Sequence, residues 1–291
     1  MSAETSNIRG MGDRYAFKRL ILLPGPVVSA GWLATHLEQP RLVLLDASLT
    51  PERHEIQLPR TRIFDFDKKI CDRTSELPHM MPTPDLFQEE VRKLGINQDS
   101  VIVTYDRSGV YSSPRARLMF KAMGHDHIAV LDGGLPAWLK AGLPTQPVSP
   151  PPAVAGDFLA KSRPGIFCDA DQVMAALLDK RHAVIDARSE KRFHGHESEP
   201  RPGLRGGHMP NALNLPFARV QTQGQMRPCQ EIEEIFSSLV DRKQKLILTC
   251  GSGVTACILA LAAELAGYTE ITVYDGSWSE WGLPSSRPVV L

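Results

Sequence analysis

Leu246-Ile-Leu-Thr-Cys-Gly-Ser-Gly-Val-Thr-Ala256 runs from an apolar, β-branched stretch into a cysteine held in a short glycine-containing loop. The four residues before Cys250 fit a short buried strand, and Ala256-Cys-Ile-Leu-Ala-Leu-Ala-Ala-Glu-Leu-Ala-Gly267 reads as a helix stopped by glycine. The local plan is strand, tight loop, helix. A helix N-terminus presents unpaired N–H groups and partial positive charge, and Gly251 and Gly253 let the backbone curl so that such groups converge. An anion at Cys250 would be stabilised there, and the thiolate is the attacking species in cysteine chemistry. Cys250 is therefore the candidate nucleophile, weighed against the alternative of a buried, inert thiol.

The same plan occurs twice, at a spacing of 140 to 144 residues. Leu42-Val-Leu-Leu-Asp-Ala-Ser48 recurs as Ala183-Val-Ile-Asp-Ala-Arg-Ser189, which aligns Asp46 with Asp186. Val101-Ile-Val-Thr-Tyr-Asp-Arg-Ser-Gly-Val110 recurs as Lys245-Leu-Ile-Leu-Thr-Cys-Gly-Ser-Gly-Val254 and sets Asp106 opposite Cys250. Val130-Leu-Asp-Gly-Gly-Leu-Pro-Ala-Trp138 recurs as Val273-Tyr-Asp-Gly-Ser-Trp-Ser-Glu-Trp281, with Trp138 opposite Trp281. Matches in the same order are the mark of duplication. Short β-rich runs alternate with helical patterns at Pro84 to Leu94, Arg115 to Met123 and Glu231 to Leu239, which predicts an α/β fold in each half. Pro144-Thr-Gln-Pro-Val-Ser-Pro-Pro-Pro152 is too rich in proline for a helix or central strand and predicts a stiff connector. The expected division is an extension over 1–26, a non-catalytic domain over 27–145, a linker over 146–165 and a catalytic domain over 166–291. Asp106 cannot act as a sulfur nucleophile, so the first half is expected to close a cleft over Cys250.

At 291 residues, with 42% hydrophobic and 23% charged residues, the chain has material for two ordinary globular cores. Lys plus Arg equals Asp plus Glu at 33 each, so no global charge favours nucleic acid or an anionic membrane. Cys71, Cys168, Cys229, Cys250 and Cys257 are scattered without a C-x-x-C pair, which argues against a disulfide framework or a zinc site and for a reducing compartment. Lys18-Arg19, Leu20-Ile-Leu-Leu23 and Val28-Ser-Ala30 have the outline of an export signal, but Pro24-Gly-Pro26 interrupts the apolar run too early. The expected location is the cytoplasm.

Tandem α/β copies, a nucleophile in the second copy only, the Cys-Gly-Ser-Gly-Val-Thr loop and the Val273 to Trp281 stretch together resemble the rhodanese superfamily of sulfurtransferases, over about Val27 to Pro288. The resemblance implies a mainly parallel sheet with helices on both faces in each domain, and a persulfide on Cys250. The loop is similar to that of the branch using 3-mercaptopyruvate. Thiosulfate-preferring members carry basic residues after the cysteine, where this chain has neutral Gly251 and Ser252. Neutral residues suit a monoanionic, carbon-bearing donor, and the carboxylate of a 2-oxo acid calls for an arginine fork.

Arg192 and Arg201, nine residues apart, match the family's paired substrate arginines, with Arg188 assigned a structural role. The loop residues Gly251, Gly253, Val254 and Thr255 complete the expected substrate-binding set. The resemblance further implies proton handling by Ser252 with His79 and an acid, for which Asp67 is the better match and Asp65 the alternative. Gln57-Leu-Pro-Arg60 and Asn211 depart from the family's pattern and are expected to alter turns.

The implied reaction carries sulfur from 3-mercaptopyruvate through Cys250 to a thiol acceptor, such as a thioredoxin-like protein, or to cyanide; pyruvate is released, and neither cofactor nor metal is required. Thiosulfate:cyanide sulfur transfer and a non-catalytic persulfide carrier or redox-responsive module are the alternatives. A cysteine phosphatase needs Cys-x5-Arg, and the position is Ala256. Cys257 reads as a core residue and His194-Gly-His196 as a solvated loop. Trp278 and Trp281 read as packing anchors, with Trp278 a candidate for the mouth of the site.

Overall fold

The computed structural model describes residues 21–50, 55–150 and 154–291. Lys18-Arg19 of the export-signal pattern, most of the expected extension, and Pro151 and Pro152 of the connector lie outside the described residues.

The first half runs β1 (Val27–Val28), α1 (Ala30–His36), β2 (Leu42–Asp46), β3 (Ile56–Gln57), β4 (Thr61–Ile63), α2 (Pro84–Lys93), β5 (Val101–Tyr105), α3 (Ser113–Ala122), β6 (Ile128–Leu131) and α4 (Gly134–Lys140). Its sheet has the order β1-β6-β5-β2-β4, with every pair parallel. β7 (Gln146–Pro147) then pairs antiparallel with β3. The second half repeats the scheme through β8 (Phe167–Cys168), α5 (Ala170–Ala176), β9 (His182–Asp186), α6 (Glu190–Phe193), β10 (Leu213–Asn214), β11 (Gln221–Thr222), β12 (Gln225–Met226), α7 (Cys229–Leu239), β13 (Lys245–Thr249), α8 (Ala256–Leu265), β14 (Ile271–Tyr274) and α9 (Ser277–Trp281). Its sheet, β8-β14-β13-β9-β10, has the same parallel order as the first. β2 and β5 are buried along their whole length, as strands covered on both faces must be.

The aligned residues occupy equivalent places. Asp46 and Asp186 end β2 and β9, and Asp106 and Cys250 each follow the central strand by one residue. α8 is buried nearly all round, from Ala256 to Ala263, because the second sheet lies on one side and α3 on the other. At its far end Arg117 grips Glu264 with two bonds of 2.8 Å.

Beyond the prolines the connector is fastened to the first half. Phe158 is fully buried among Phe87, Phe120 and His125. The Gly156 N–H donates to Arg92 O (2.8 Å), and a Cβ on Gly156 would stand 1.9 Å from Ile96 O, so only glycine fits that crossing. Both departures from the family pattern fall in turns: Arg60 and Asn211 have φ of 61° and 62°, and asparagine tolerates that left-handed region better than most residues.

The halves meet through matched carboxylates. Asp132 follows β6 and accepts the Met226 N–H (2.9 Å); Asp275 follows β14 and accepts the Met81 N–H on Oδ2 (2.8 Å). Arg115, on α3 and fully buried, completes the second contact. Its Nη2 donates to Asp275 Oδ1 (2.7 Å) and to His79 O, while Nη1 reaches Gly253 O (3.4 Å). Its guanidinium also lies 4.6 Å from the Phe167 ring centroid.

Arg115→Ala leaves the Asp275 carboxylate buried without its partner and should destabilise the protein by about 3–5 kcal/mol in urea unfolding. Arg163→Ala, which removes an exposed pair with Asp126, should cost under about 1 kcal/mol. Equal costs for the two variants would contradict the role given to the buried bridge.

Candidate active site

Cys250 is 2% exposed and is gripped by the start of α9. Its N–H donates to Ser277 Oγ (3.2 Å) and its carbonyl accepts the Trp278 N–H (2.9 Å). Gly251 O accepts both the N–H (2.8 Å) and the Oγ (2.7 Å) of Ser279. Gly253 turns the loop with φ of 74°; a Cβ there would stand 2.8 Å from Asp275 O and 3.1 Å from Arg115 Nη1. Val254 packs its side chain into the core of the first half, and Thr255 is the N-cap of α8. For Gly251, Gly253 and Val254 the backbone is therefore the part available to a ligand, while the half-buried Thr255 makes no capping bond with its hydroxyl.

The duplicated loop shows what such a backbone can hold. In the first half, one Asp106 carboxylate oxygen accepts N–H groups from Tyr111 (2.8 Å), Ser112 (2.9 Å) and Ser113 (2.9 Å) and the Ser113 hydroxyl (2.7 Å). The other accepts the Ser108 N–H (3.0 Å). Around Cys250, among the described residues, the N–H groups of residues 251–255 donate to no protein acceptor. One loop is filled by its own carboxylate, and the other presents its donors around a thiol.

Arg192 reaches over this loop from α6, with Nη2 3.1 Å from the point where a Gly251 Cβ would stand. It is held by Glu199, whose Oε2 accepts Arg192 Nη2 and whose Oε1 accepts Arg192 Nε (3.3 Å) and Arg188 Nη1 (2.7 Å). Arg188 is itself buried, paired with Asp186 (2.7 Å) and stacked 4.0 Å from the Trp278 ring centroid, in line with a structural role. Arg201 is exposed and forms no ion pair among the described residues. Its charge nevertheless acts on His79 and Tyr111.

His79 comes from the first half with φ of 62°, its Nδ1 3.0 Å from Asp67 Oδ1 but off the hydrogen-bonding axis. Burial, reinforced by the positive charges of Arg115 and Arg201, lowers its pKa to about 4, so the ring is neutral at ordinary pH. Asp65, the alternative acid, is engaged elsewhere, accepting the Lys68 N–H (2.9 Å). Ser252 is half-buried on the loop, and no hydrogen bond joins it to His79.

Trp278 does not line the mouth: it is fully buried beneath Arg188, with Nε1 donating to Arg205 O (2.9 Å). Cys257 is a core residue whose thiol donates to Gly253 O (3.2 Å) and is pushed up to about 12 by burial. His194, His196 and His208 gather at the end of α6, yet among the described residues no group of three or more such side chains is placed to hold a metal ion.

Four contributors were missed in the sequence reading: Tyr111, Arg115, Glu199 and Asp275. Tyr111 packs edge-on against Phe217 (5.8 Å); burial and the Cys250 charge raise its phenol pKa, against Arg192 and Arg201. An aromatic residue in a half without a nucleophile gives no signal of this kind. Asp275 could have been found from its alignment with Asp132 in the repeat.

A model of the rhodanese-like domain matches residues 29–141 and again 169–283. The human 3-mercaptopyruvate sulfurtransferase is 40% identical over 272 residues, covering 88% of this chain and 91% of its own length. The mitochondrial thiosulfate/3-mercaptopyruvate sulfurtransferase 1 of Arabidopsis thaliana is 35% identical over 295 residues, covering 91% of this chain and 78% of its own. The crystal structure of SseA, a 3-mercaptopyruvate sulfurtransferase of Escherichia coli, superposes with a TM-score of 0.78 at 32% identity, over 88% of this chain and 99% of that one. With two matching domains and relatives alike along nearly its full length, the chain belongs to the rhodanese family, as a tandem-domain member.

Proposed function

We propose that this chain is a sulfurtransferase that moves sulfane sulfur from 3-mercaptopyruvate, through a persulfide on Cys250, to a thiol acceptor or cyanide. The observation that carries the reading is the pair of loops: Asp106 fills its own N–H cradle, whereas Cys250 stands in an unfilled one beneath Arg192. The relatives' names point to the same donor.

In the first step the Cys250 thiolate attacks the donor sulfur; the carbon–sulfur bond breaks, and its electron pair passes to the pyruvate enolate. Arg192 and Arg201 hold the donor carboxylate, and the N–H groups of Gly251, Gly253, Val254 and Thr255 face the developing charge. Ser252 or a bound water delivers a proton to the enolate carbon. His79, neutral and beside Asp67, enters that transfer through a bound water as a neutral imidazole rather than as an imidazolium, since no direct hydrogen bond joins it to Ser252. In the second step an acceptor thiolate takes the outer sulfur and frees Cys250. Electrons balance at both steps within the sulfur and carbon bonds named, so no cofactor is needed.

We assign catalysis to residues 166–291, cleft closure to 27–145 and linkage to 146–165, with 1–26 an N-terminal extension. Among the described residues no helix is long and apolar enough to cross a membrane, and all five cysteines are free. Free cysteines suit a reducing compartment, and we place the chain in the cytoplasm with a small thiol or thioredoxin-like protein as acceptor.

Steady-state transfer to cyanide and to a dithiol should show 3-mercaptopyruvate preferred over thiosulfate, with Cys250→Ser inactive. A preference for thiosulfate overturns the donor assignment; turnover of neither donor points to the carrier reading. Arg201→Ala should raise KM for 3-mercaptopyruvate by about tenfold, with a smaller change in kcat. Since the folded His79 is neutral down to a pKa of about 4, protonation of His79 should introduce no limb in the rate profile between about pH 5 and 8. A limb near pH 6.5 that disappears in His79→Asn would contradict this.

A further inference from the structure

We propose that Glu199 is a positioning residue that sets the charge to which the donor site is matched, and hence its preference for a monoanionic over a dianionic sulfur donor. The inference rests on the sulfurtransferase reading above. Glu199 is almost wholly buried, with 2% of its side chain exposed, and its carboxylate is shared by two guanidiniums. Oε1 takes Arg188 Nη1 (2.7 Å) and Arg192 Nε (3.3 Å), and Oε2 takes Arg192 Nη2. Arg188 is held in turn by Asp186 through Nε (2.9 Å) and Nη2 (2.7 Å). Nearly every polar atom of this carboxylate pair is thus aimed at a named partner.

The charges are the point. Asp186 and Glu199 cancel Arg188 and Arg192, so the buried cluster is neutral as a set. Arg115 is likewise cancelled by Asp275, and His79 is neutral. Outside these pairs, Arg201, exposed and without an ion pair among the described residues, brings one positive charge, and Asp67, beside the neutral His79, brings one carboxylate. With Glu199 charged, both guanidiniums of the cluster are paired and nothing offsets the second charge of a dianion such as thiosulfate in this partly buried site; without that charge, one guanidinium is left over to offset it. Glu199 also fixes where Arg192 stands. Two of the Arg192 nitrogens are bound to it, which turns the guanidinium over Gly251 and leaves Nη1 free to meet a donor carboxylate.

The test is the ratio of kcat/KM for 3-mercaptopyruvate to that for thiosulfate, measured for the native chain, Glu199→Gln and Glu199→Asp. Glu199→Gln keeps the volume but removes the charge and places an amide donor against a guanidinium. It should raise KM for 3-mercaptopyruvate and move the ratio towards thiosulfate by about tenfold or more. Glu199→Asp keeps the charge but shortens its reach; it should slow both donors and leave the ratio within about threefold of the native value. A purely structural residue would lower both donors alike, so an unchanged ratio in Glu199→Gln overturns the proposal. A ratio shifted in Glu199→Asp as far as expected for the Gln variant also overturns it; if Glu199→Gln does not fold, Glu199→Met, which removes the charge without adding an amide, takes its place, and an unchanged ratio there overturns the proposal. A native chain that turns over neither donor overturns the sulfurtransferase reading itself, and the inference with it.

Discussion

Arg115 and Asp275 lie against each other in the seam between the two halves, and the geometry of the site follows from that buried pair. Taking both charges out of water is costly, and the seam offsets the cost with further hydrogen bonds. The guanidinium also donates to the carbonyls of His79 and Gly253, and the carboxylate also accepts the Met81 N–H. A residue from each half is thus tied to a backbone segment of the other. The His79 loop is held against the Cys250 loop at a fixed distance, which neither half could achieve alone.

Duplication supplied two equivalent loops, and the difference between them underlies the assignment of the proposed chemistry to the second half. Asp106 supplies an anionic group from the chain itself, directed onto the N–H groups at the start of α3. The close approach of Gly224 to Gly109 then seals that side: a Cβ on Gly109 would stand 2.4 Å from Gly224 O. At Cys250 the thiol offers a nucleophile in place of a filled acceptor. Arg192, held by Glu199, stands above the opening. Once its own cradle is closed, the first half meets the other half's loop through Arg115, which donates to Gly253 O, and through Tyr111, whose phenol feels the Cys250 charge; the His79 carbonyl is held by the same Arg115.

The fold was legible because its signals are local and repeated. Helices expected at Pro84 to Leu94 and Glu231 to Leu239 are α2 and α7, and the apolar run before Cys250 is β13. Their boundaries differ by a residue or two, as helix ends do. The place of the candidate nucleophile was legible as well, because a cysteine between a strand and a helix has a physical meaning before any partner is known, and Cys250 does follow β13 and precede α8. What the sequence concealed are buried ion pairs, that of Arg115 across the seam and that of Glu199 within the second half. Arg115 reads as one arginine in an amphipathic helix, and Glu199 as one acid in a polar loop; burial and partners alone reveal their parts. Trp278 illustrates the opposite error, since a tryptophan expected as a candidate for the mouth of the site lies beneath Arg188 instead.

The central claim is that Cys250 carries the sulfur. The most direct measurement is the intact mass of the protein, followed by peptide mapping, after incubation with 3-mercaptopyruvate in the absence of any acceptor. The account predicts a gain of one sulfur atom on the peptide containing Cys250, one pyruvate released per chain, and loss of the added mass when a thiol is supplied. Pyruvate released with no sulfur retained, or sulfur retained on Cys229 while Cys250 stays unmodified, would contradict it.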